Sequence, residues 1–195
     1  MSSFKSINYG KPLPENLPSH FEIDCPPDTD IWKKPPSTYS FNGPIIYRPV
    51  SVSAFNSAKV TVSADWKHKY DQGGLCLIIN PNEKHKQWVK TGIEYLESRP
   101  NVSTVATDRW SDWSLQPMPV GSDIGVTIEI ASEDDGSLWV YVVEADKRVP
   151  IREVTWWAEA LNKAADCWIG VYAAKPTKEQ ENLVVRFDDL RIETK

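Results

Sequence analysis

The chain reads as an all-β protein: two antiparallel sheets stacked as a sandwich, with one short helix. Three observations lead there. From residue 50 onward, apolar and polar residues alternate with a period of two through a series of short segments. Gly, Pro, Asn and Asp separate those segments at regular spacing, as in hairpin-connected strands. Helical spacing is confined to one stretch. A chain of 195 residues buries enough surface to need no disulfide or metal staple, and residues 1–195 read as one domain.

The first fifty residues are a wrapping segment. Pro12, Pro14, Pro18, Pro26, Pro27, Pro35, Pro36, Pro44 and Pro49 cannot donate to a ladder, so they cut it into short extended pieces at 21–24, 31–33, 39–41 and 45–47. The apolar residues among them, from Phe21 to Tyr47, are too many for a disordered tail. Residues 58–66 then alternate, with Val60 and Val62 on one face. Residues 75–79 (Leu-Cys-Leu-Ile-Ile) are apolar on both faces, as in a central strand covered twice. Asn80-Pro81-Asn82 is a turn, and 87–96 alternates again. Strands follow at 102–107, 111–115, 124–130, 138–143, 168–173 and 183–192, with Asp134-Asp135-Gly136 as a hairpin turn. Within 153–165, Trp157, Ala160, Leu161 and Ala164 fall on one helical face, which predicts a short helix pinned to the sandwich by a Trp.

Composition excludes several functions. The net charge is −5, and the basic runs Lys33-Lys34 and Lys67-His68-Lys69 are short, so no phosphate-binding surface is expected and no nucleic-acid partner. No stretch approaches the roughly 20 apolar residues of a membrane helix, and Met1 to Gly10 lacks the apolar core of an export signal. The expected location is cytoplasmic, and Asn101-Val102-Ser103 reads as a chance sequon. Cys25, Cys76 and Cys167 are odd in number and far apart; they read as small buried hydrophobes. His20, His68 and His85 are scattered, in expected loops, and make a poor metal site. Loop residues Asp28, Asp30, Asp134 and Asp135 offer a calcium site at most. No phosphate loop and no nucleophile elbow occur. No cofactor is expected.

The chemistry concentrates between Tyr70 and Ser114. Period two places Trp88, Lys90, Gly92 and Glu94 on one face of a strand, with Val89, Thr91, Ile93 and Tyr95 on the other, better core face. A flat ring, a cation, a glycine that leaves space and a carboxylate make a binding surface. The competing reading is a solvated face with a weak Lys90–Glu94 pair. Gln72, ahead of Gly73-Gly74, and Asp112 join the predicted concave surface, and Trp32 is a second stacking candidate. Asp112 and Ser114 share a face while Trp113 points the other way, so either Asp112 or Trp113 faces a ligand.

Tyr70-Asp71-Gln72-Gly73-Gly74-Leu75, Trp88-Val89-Lys90-Thr91-Gly92-Ile93-Glu94, Ser103-Thr104-Val105-Ala106-Thr107 and Ser111-Asp112-Trp113-Ser114 resemble, in order, the signature of a domain-of-unknown-function family. That family includes the fungal regulation-of-enolase proteins and bacterial homologues. Thr29-Asp30-Ile31-Trp32 and Gly170-Val171-Tyr172-Ala173-Ala174-Lys175-Pro176 also look like family patterns, so the resemblance spans roughly residues 20–192. It implies a concanavalin A-like jelly roll, a cytoplasmic role linked to regulation of a glycolytic enzyme with enolase as the partner, and no established catalysis. Fold kinship with lectins and glucanases suggests a carbohydrate-like ligand, by analogy.

Two functions follow as expectations. One is a non-catalytic binding or regulatory domain, with Gln72, Trp32, Trp88, Lys90, Glu94 and Asp112 around a carbohydrate-like ligand, or a protein partner on the same concave face. The other is a glycoside hydrolase or lyase using Glu94 and Asp112, or Asp71 with Glu94, since hydrolysis needs two carboxyl groups about 5 to 10 Å apart. The strand motif Glu-x-Asp-x-x-Glu of sandwich glucanases begins only at Glu22-Ile23-Asp24 and is broken by Pro26 and Pro27.

Overall fold

A computed structural model describes residues 3–122, 124–145, 147–163 and 165–195. Among the described residues, fifteen strands and one α-helix follow one another, with a 3-10 turn at Val52–Ala54: β1 (Lys5–Ile7), β2 (His20–Cys25), β3 (Ile31–Lys34), β4 (Thr38–Phe41), β5 (Ile45–Ser51), β6 (Phe55–Ala64), β7 (Gln72–Ile79), β8 (Gln87–Leu96), β9 (Arg99–Thr107), β10 (Ser111–Pro117), β11 (Gly125–Ser132), β12 (Leu138–Glu144), β13 (Lys147–Glu153), α1 (Trp157–Asn162), β14 (Asp166–Ala174) and β15 (Leu183–Thr194). They form a seven-stranded antiparallel sheet, β1-β5-β14-β7-β8-β9-β10, and a six-stranded one, β13-β12-β11-β6-β15-β2, with β3-β4 as a separate hairpin.

The two sheets differ in how they use the alternation. In the six-stranded sheet one parity is buried and the other half-exposed: Ala58, Val60, Val62 and Ala64 of β6 point inward, as do Val126, Ile128 and Ile130 of β11 and Val185 and Phe187 of β15. Their partners from the seven-stranded sheet are Leu75, Leu77, Ile79, Val89, Ile93, Ile169 and Val171, which complete the core between the layers. The seven-stranded sheet is also covered on its outer face. There Ile31 of β3 packs with Ile45, Tyr47, Cys76, Ile78, Trp88 and Tyr172 in a second, smaller cluster, joined by Phe41 of β4. Every residue of β7 is therefore buried, which accounts for its apolar run.

Close sheet packing explains the glycines of β7 and β8. Gly74 and Gly92 face each other across the ladder. A Cβ on Gly74 would lie 1.9 Å from the Thr91 carbonyl oxygen, so neither position tolerates a side chain.

The short helix expected within 153–165 occupies six residues: Glu153 ends β13, and Trp157, fully buried against Phe55 with ring centroids 6.0 Å apart, anchors it. Ala164 of the expected helical stripe lies outside the described residues. Other expectations need correction. β1 and β13 were not foreseen. Both are edge strands, where short length and Pro150 are tolerated. His20 opens β2 instead of lying in a loop. All three cysteines are buried thiols, and burial pushes those of Cys25 and Cys167 up to about 12.

Candidate functional site

The outer face of the seven-stranded sheet is divided in two by the β3-β4 hairpin. One half is sealed. Trp88 is fully buried there, with Phe41 at 5.6 Å, Tyr39 at 6.4 Å and the Lys33 ammonium 4.7 Å from its ring. The expected stacking role of Trp88 is thus corrected: its ring belongs to the packing beneath the hairpin and offers no face to a ligand. The other half is a cleft of about 250 Å³, lined by Asp30, Trp32, Lys34, Tyr70, Gln72, Lys90, Glu94 and Trp113.

Three local devices build the walls. At the base of the hairpin, Asn42 accepts the Asp30 N–H through Oδ1 (2.8 Å) and donates through Nδ2 to the Asp28 carbonyl (2.8 Å), which fixes Asp30 over the sheet. Beyond it, the Lys33 N–H donates to Ser111 Oγ (3.0 Å), tying β3 to the start of β10 and setting Trp32 edge-on to Trp113, with centroids 6.1 Å apart. On the far side, the N–H groups of Lys67 and His68 donate to Asp71 Oδ2 and close a turn. That turn holds Tyr70 at φ +70°, with its ring edge-on to Trp113 at 6.1 Å.

The floor is polar and almost fully buried. Lys90, 2% exposed, donates from Nζ to Gln72 Oε1 at 2.5 Å and lies 3.5 Å from Asp30 Oδ1. Gln72 is oriented by donating from Nε2 to the Tyr70 carbonyl (3.2 Å). Glu94, 5% exposed, accepts from Ser103 Oγ at 2.7 Å, and that hydroxyl accepts from Trp113 Nε1 at 3.1 Å. Loss of water raises the Glu94 pKa above its ordinary value, opposed by the nearby Lys90 charge and the Ser103 hydroxyl. The shared face anticipated for Lys90 and Glu94 is the observed one, but it is enclosed, not solvated.

Asp112 is not part of this constellation. The ladder aligns Trp113 with Val105 and Val105 with Lys90, so Trp113 takes the outer face and Asp112 the opposite one. The Asp112 carboxylate is exposed and bonded to Arg152 of β13 in the other sheet. A Glu94–Asp112 pair across one glycosidic bond is therefore ruled out by parity. Asp71 is likewise elsewhere: its carboxylate is spent on the 67–71 turn and on Lys175, 3.6 Å away. Lys34 and Tyr70 line the cleft without having been candidates, and Asp30 lines it although the sequence offered it only as a calcium-site candidate. Trp113 was one arm of a parity choice, while Asp30 and Tyr70 lie within the family-like motifs. No group of three His, Cys, Asp or Glu side chains able to hold a metal occurs among the described residues. Asp135 instead accepts from the Ser137 N–H (2.9 Å) and hydroxyl (2.6 Å) in its hairpin turn.

A two-layer antiparallel sandwich with a cleft on the outer face of its larger sheet is a jelly roll of the concanavalin A-like lectin and glucanase kind. The chain belongs to the family described as a protein of unknown function, DUF1349, which matches residues 11–195. It is 49% identical over 195 residues to an uncharacterized protein of Emericella nidulans, covering 99% of this chain and 96% of that one. Among solved structures, a functionally unknown protein from Saccharomyces cerevisiae superimposes with a TM-score of 0.78 at 21% identity, over 99% of this chain and 97% of the other. The GH43 protein BlXynB from Bacillus licheniformis gives a TM-score of 0.63 at 11% identity, over 92% of this chain and 34% of that protein. A pseudo β-1,3-glucanase of Mycobacterium tuberculosis gives 0.56 at 8%, over 99% and 91%. These structural likenesses carry the fold alone. No helix among the described residues is long and apolar enough to cross a membrane.

Proposed function

We propose that the protein is a non-catalytic binding module whose cleft takes a carbohydrate-like small molecule. The observation that carries this reading is the pairing of aromatic walls with a buried, hydrogen-bonding floor. Trp32, Tyr70 and Trp113 present ring surfaces to the same cleft beneath which Gln72, Lys90 and Glu94 lie. Sugar rings have apolar C–H faces and hydroxyl edges, and both are matched here. Desolvating an ammonium and a carboxyl side by side costs stability, and such groups gather at functional sites. The fold is shared with LamA of Z. galactanivorans, which is solved in complex with laminaritriose and laminaritetraose, and this agrees with a sugar ligand.

Calorimetric titration with a panel of mono- and oligosaccharides tests the proposal. The expected result is saturable 1:1 binding without product, weakened at least about fivefold in Trp113→Ala, since loss of a stacked aromatic at a binding centre costs more than about 1 kcal/mol. Binding unaffected by Trp113→Ala, or no sugar bound at all, would overturn it. Turnover would replace the binding reading with a hydrolytic one, for which Asp30 and Glu94 are the two carboxyls of the cleft. The wider cytoplasmic role in regulating enolase is implied by family resemblance, and its test is retention of enolase by the immobilised chain.

A further inference from the structure

We infer that the cleft prefers a sugar bearing a carboxylate, of the uronate type, over its neutral counterpart. This rests on the carbohydrate reading above and names the ligand class within it. The argument is one of charge. Four ionisable groups other than Tyr70 line the cleft: Asp30, Lys34, Lys90 and Glu94. Lys90 and Asp30 lie 3.5 Å apart and offset each other. Glu94 is almost fully buried and already accepts from Ser103. That leaves Lys34, at the end of β3, exposed and without a hydrogen bond or ion pair among the described residues. A second cation adjoins the lining residue Tyr70: the Lys69 ammonium lies 4.9 Å from its ring centre. In a chain of net charge −5, this aromatic cleft thus carries one exposed lysine with no carboxylate partner among the described residues. In addition, a lysine ammonium has three donors, and Lys90 uses two of them, on Gln72 and Asp30. A ligand carboxylate at the mouth meets Lys34 while the ring hydroxyls meet the floor; a neutral sugar leaves Lys34 unused.

The test compares matched probes, D-glucuronate with D-glucose and D-galacturonate with D-galactose, by calorimetry or chemical-shift titration at low and moderate salt. The acid is expected to bind about fivefold more tightly than its neutral partner at low salt, the upper range for a solvent-reached ion pair. The advantage should shrink as salt is raised. Read as the ratio of acid to neutral affinity within each variant, Lys34→Gln should erase most of it, and Lys34→Gln/Lys69→Gln should erase the rest. Equal affinity of acid and neutral sugar in the wild type would overturn this inference and leave the carbohydrate reading standing. A preference that survives the double substitution would also overturn it. Absence of binding by all four probes and by the oligosaccharide panel would overturn both.

Discussion

Lys90 and Lys175 are buried to nearly the same degree, 2% and 1% exposed, yet they are held by opposite means. Lys175 follows the end of β14. Its backbone N–H donates to Thr29 Oγ1 (2.9 Å), and its ammonium faces Asp71, itself 2% exposed, at 3.6 Å. Asp71 Oδ1 has no hydrogen-bond partner, so the attraction to Lys175 is what compensates its burial. Lys90 sits mid-sheet instead, and its partner Asp30 is 26% exposed at the edge of an open cleft. Both ammonium groups have lost their water. Lys90 faces the aromatic cleft, whereas Lys175 and Asp71 line a separate cleft of about 210 Å³ beside Lys67, His68 and Glu181. The two ion pairs thus differ in their surroundings: one lies beneath aromatic rings, the other among charged and polar side chains.

The largest expected effect follows from the Lys175–Asp71 pair. Lys175→Met removes the only cation paired with the buried Asp71 among the described residues, leaving its Oδ1 without a partner, and should cost about 3 kcal/mol in denaturant unfolding. Lys175→Met combined with Asp71→Asn should recover much of that loss. Lys90→Met should cost less, about 1–3 kcal/mol, because Asp30 can turn to solvent and Gln72 loses a single neutral acceptor contact. In the sugar titration the ranking inverts: Lys90→Met abolishes binding and Lys175→Met leaves the folded fraction's affinity intact. Equal destabilisation by the two single variants would break the comparison.

The second effect is a pH dependence. The Glu94 pKa is raised in the folded protein, first by burial, with Lys90 and Ser103 opposing and Asp30 adding to the rise. The folded state then binds more protons than the unfolded chain above the unfolded value of about 4.3. This group's contribution to stability is fully present below that value and is lost as pH rises through the folded-state pKa. Glu94→Gln removes the titration. Plotted against pH, the stability of wild type minus that of Glu94→Gln should fall through that window and be flat on either side. A difference that rises with pH would mean Glu94 is held ionised, and the floor would then be more acidic than the geometry implies.

How much of this was readable in the residues depends on how local each cause is. The face shared by Lys90, Gly92 and Glu94 follows from strand period alone, and the run Leu75–Cys76–Leu77–Ile78–Ile79 announces a strand covered on both sides. Trp88 has the same parity as Lys90 but a different fate, decided by Phe41, Tyr39 and Lys33 from a hairpin more than forty residues earlier. No alternation within β8 carries that information. Asp30 could not be placed for the same reason, since its position depends on Asn42 closing the hairpin base. β13 escaped notice because Pro150 argues against a ladder, an argument that fails at a sheet edge.

Asp112 is where parity left two faces open, and it supplies the smallest expected effect. The alignment of Trp113 with Val105 and Lys90 puts Asp112 on the far side of β10, bonded to Arg152 with its carboxylate 74% exposed. Exposed pairs of this kind contribute about 0–1 kcal/mol. Asp112→Asn should therefore move the unfolding midpoint little and leave sugar affinity where it was. Trp113→Ala, one residue away on the same strand, should remove most of that affinity, because its ring walls the cleft and its indole N–H holds the Ser103 hydroxyl that donates to Glu94. The pair of variants reads the register of β10 directly: if Asp112→Asn weakened binding and Trp113→Ala did not, the strand would be turned over, and the cleft would have a carboxylate where the ladder puts an indole.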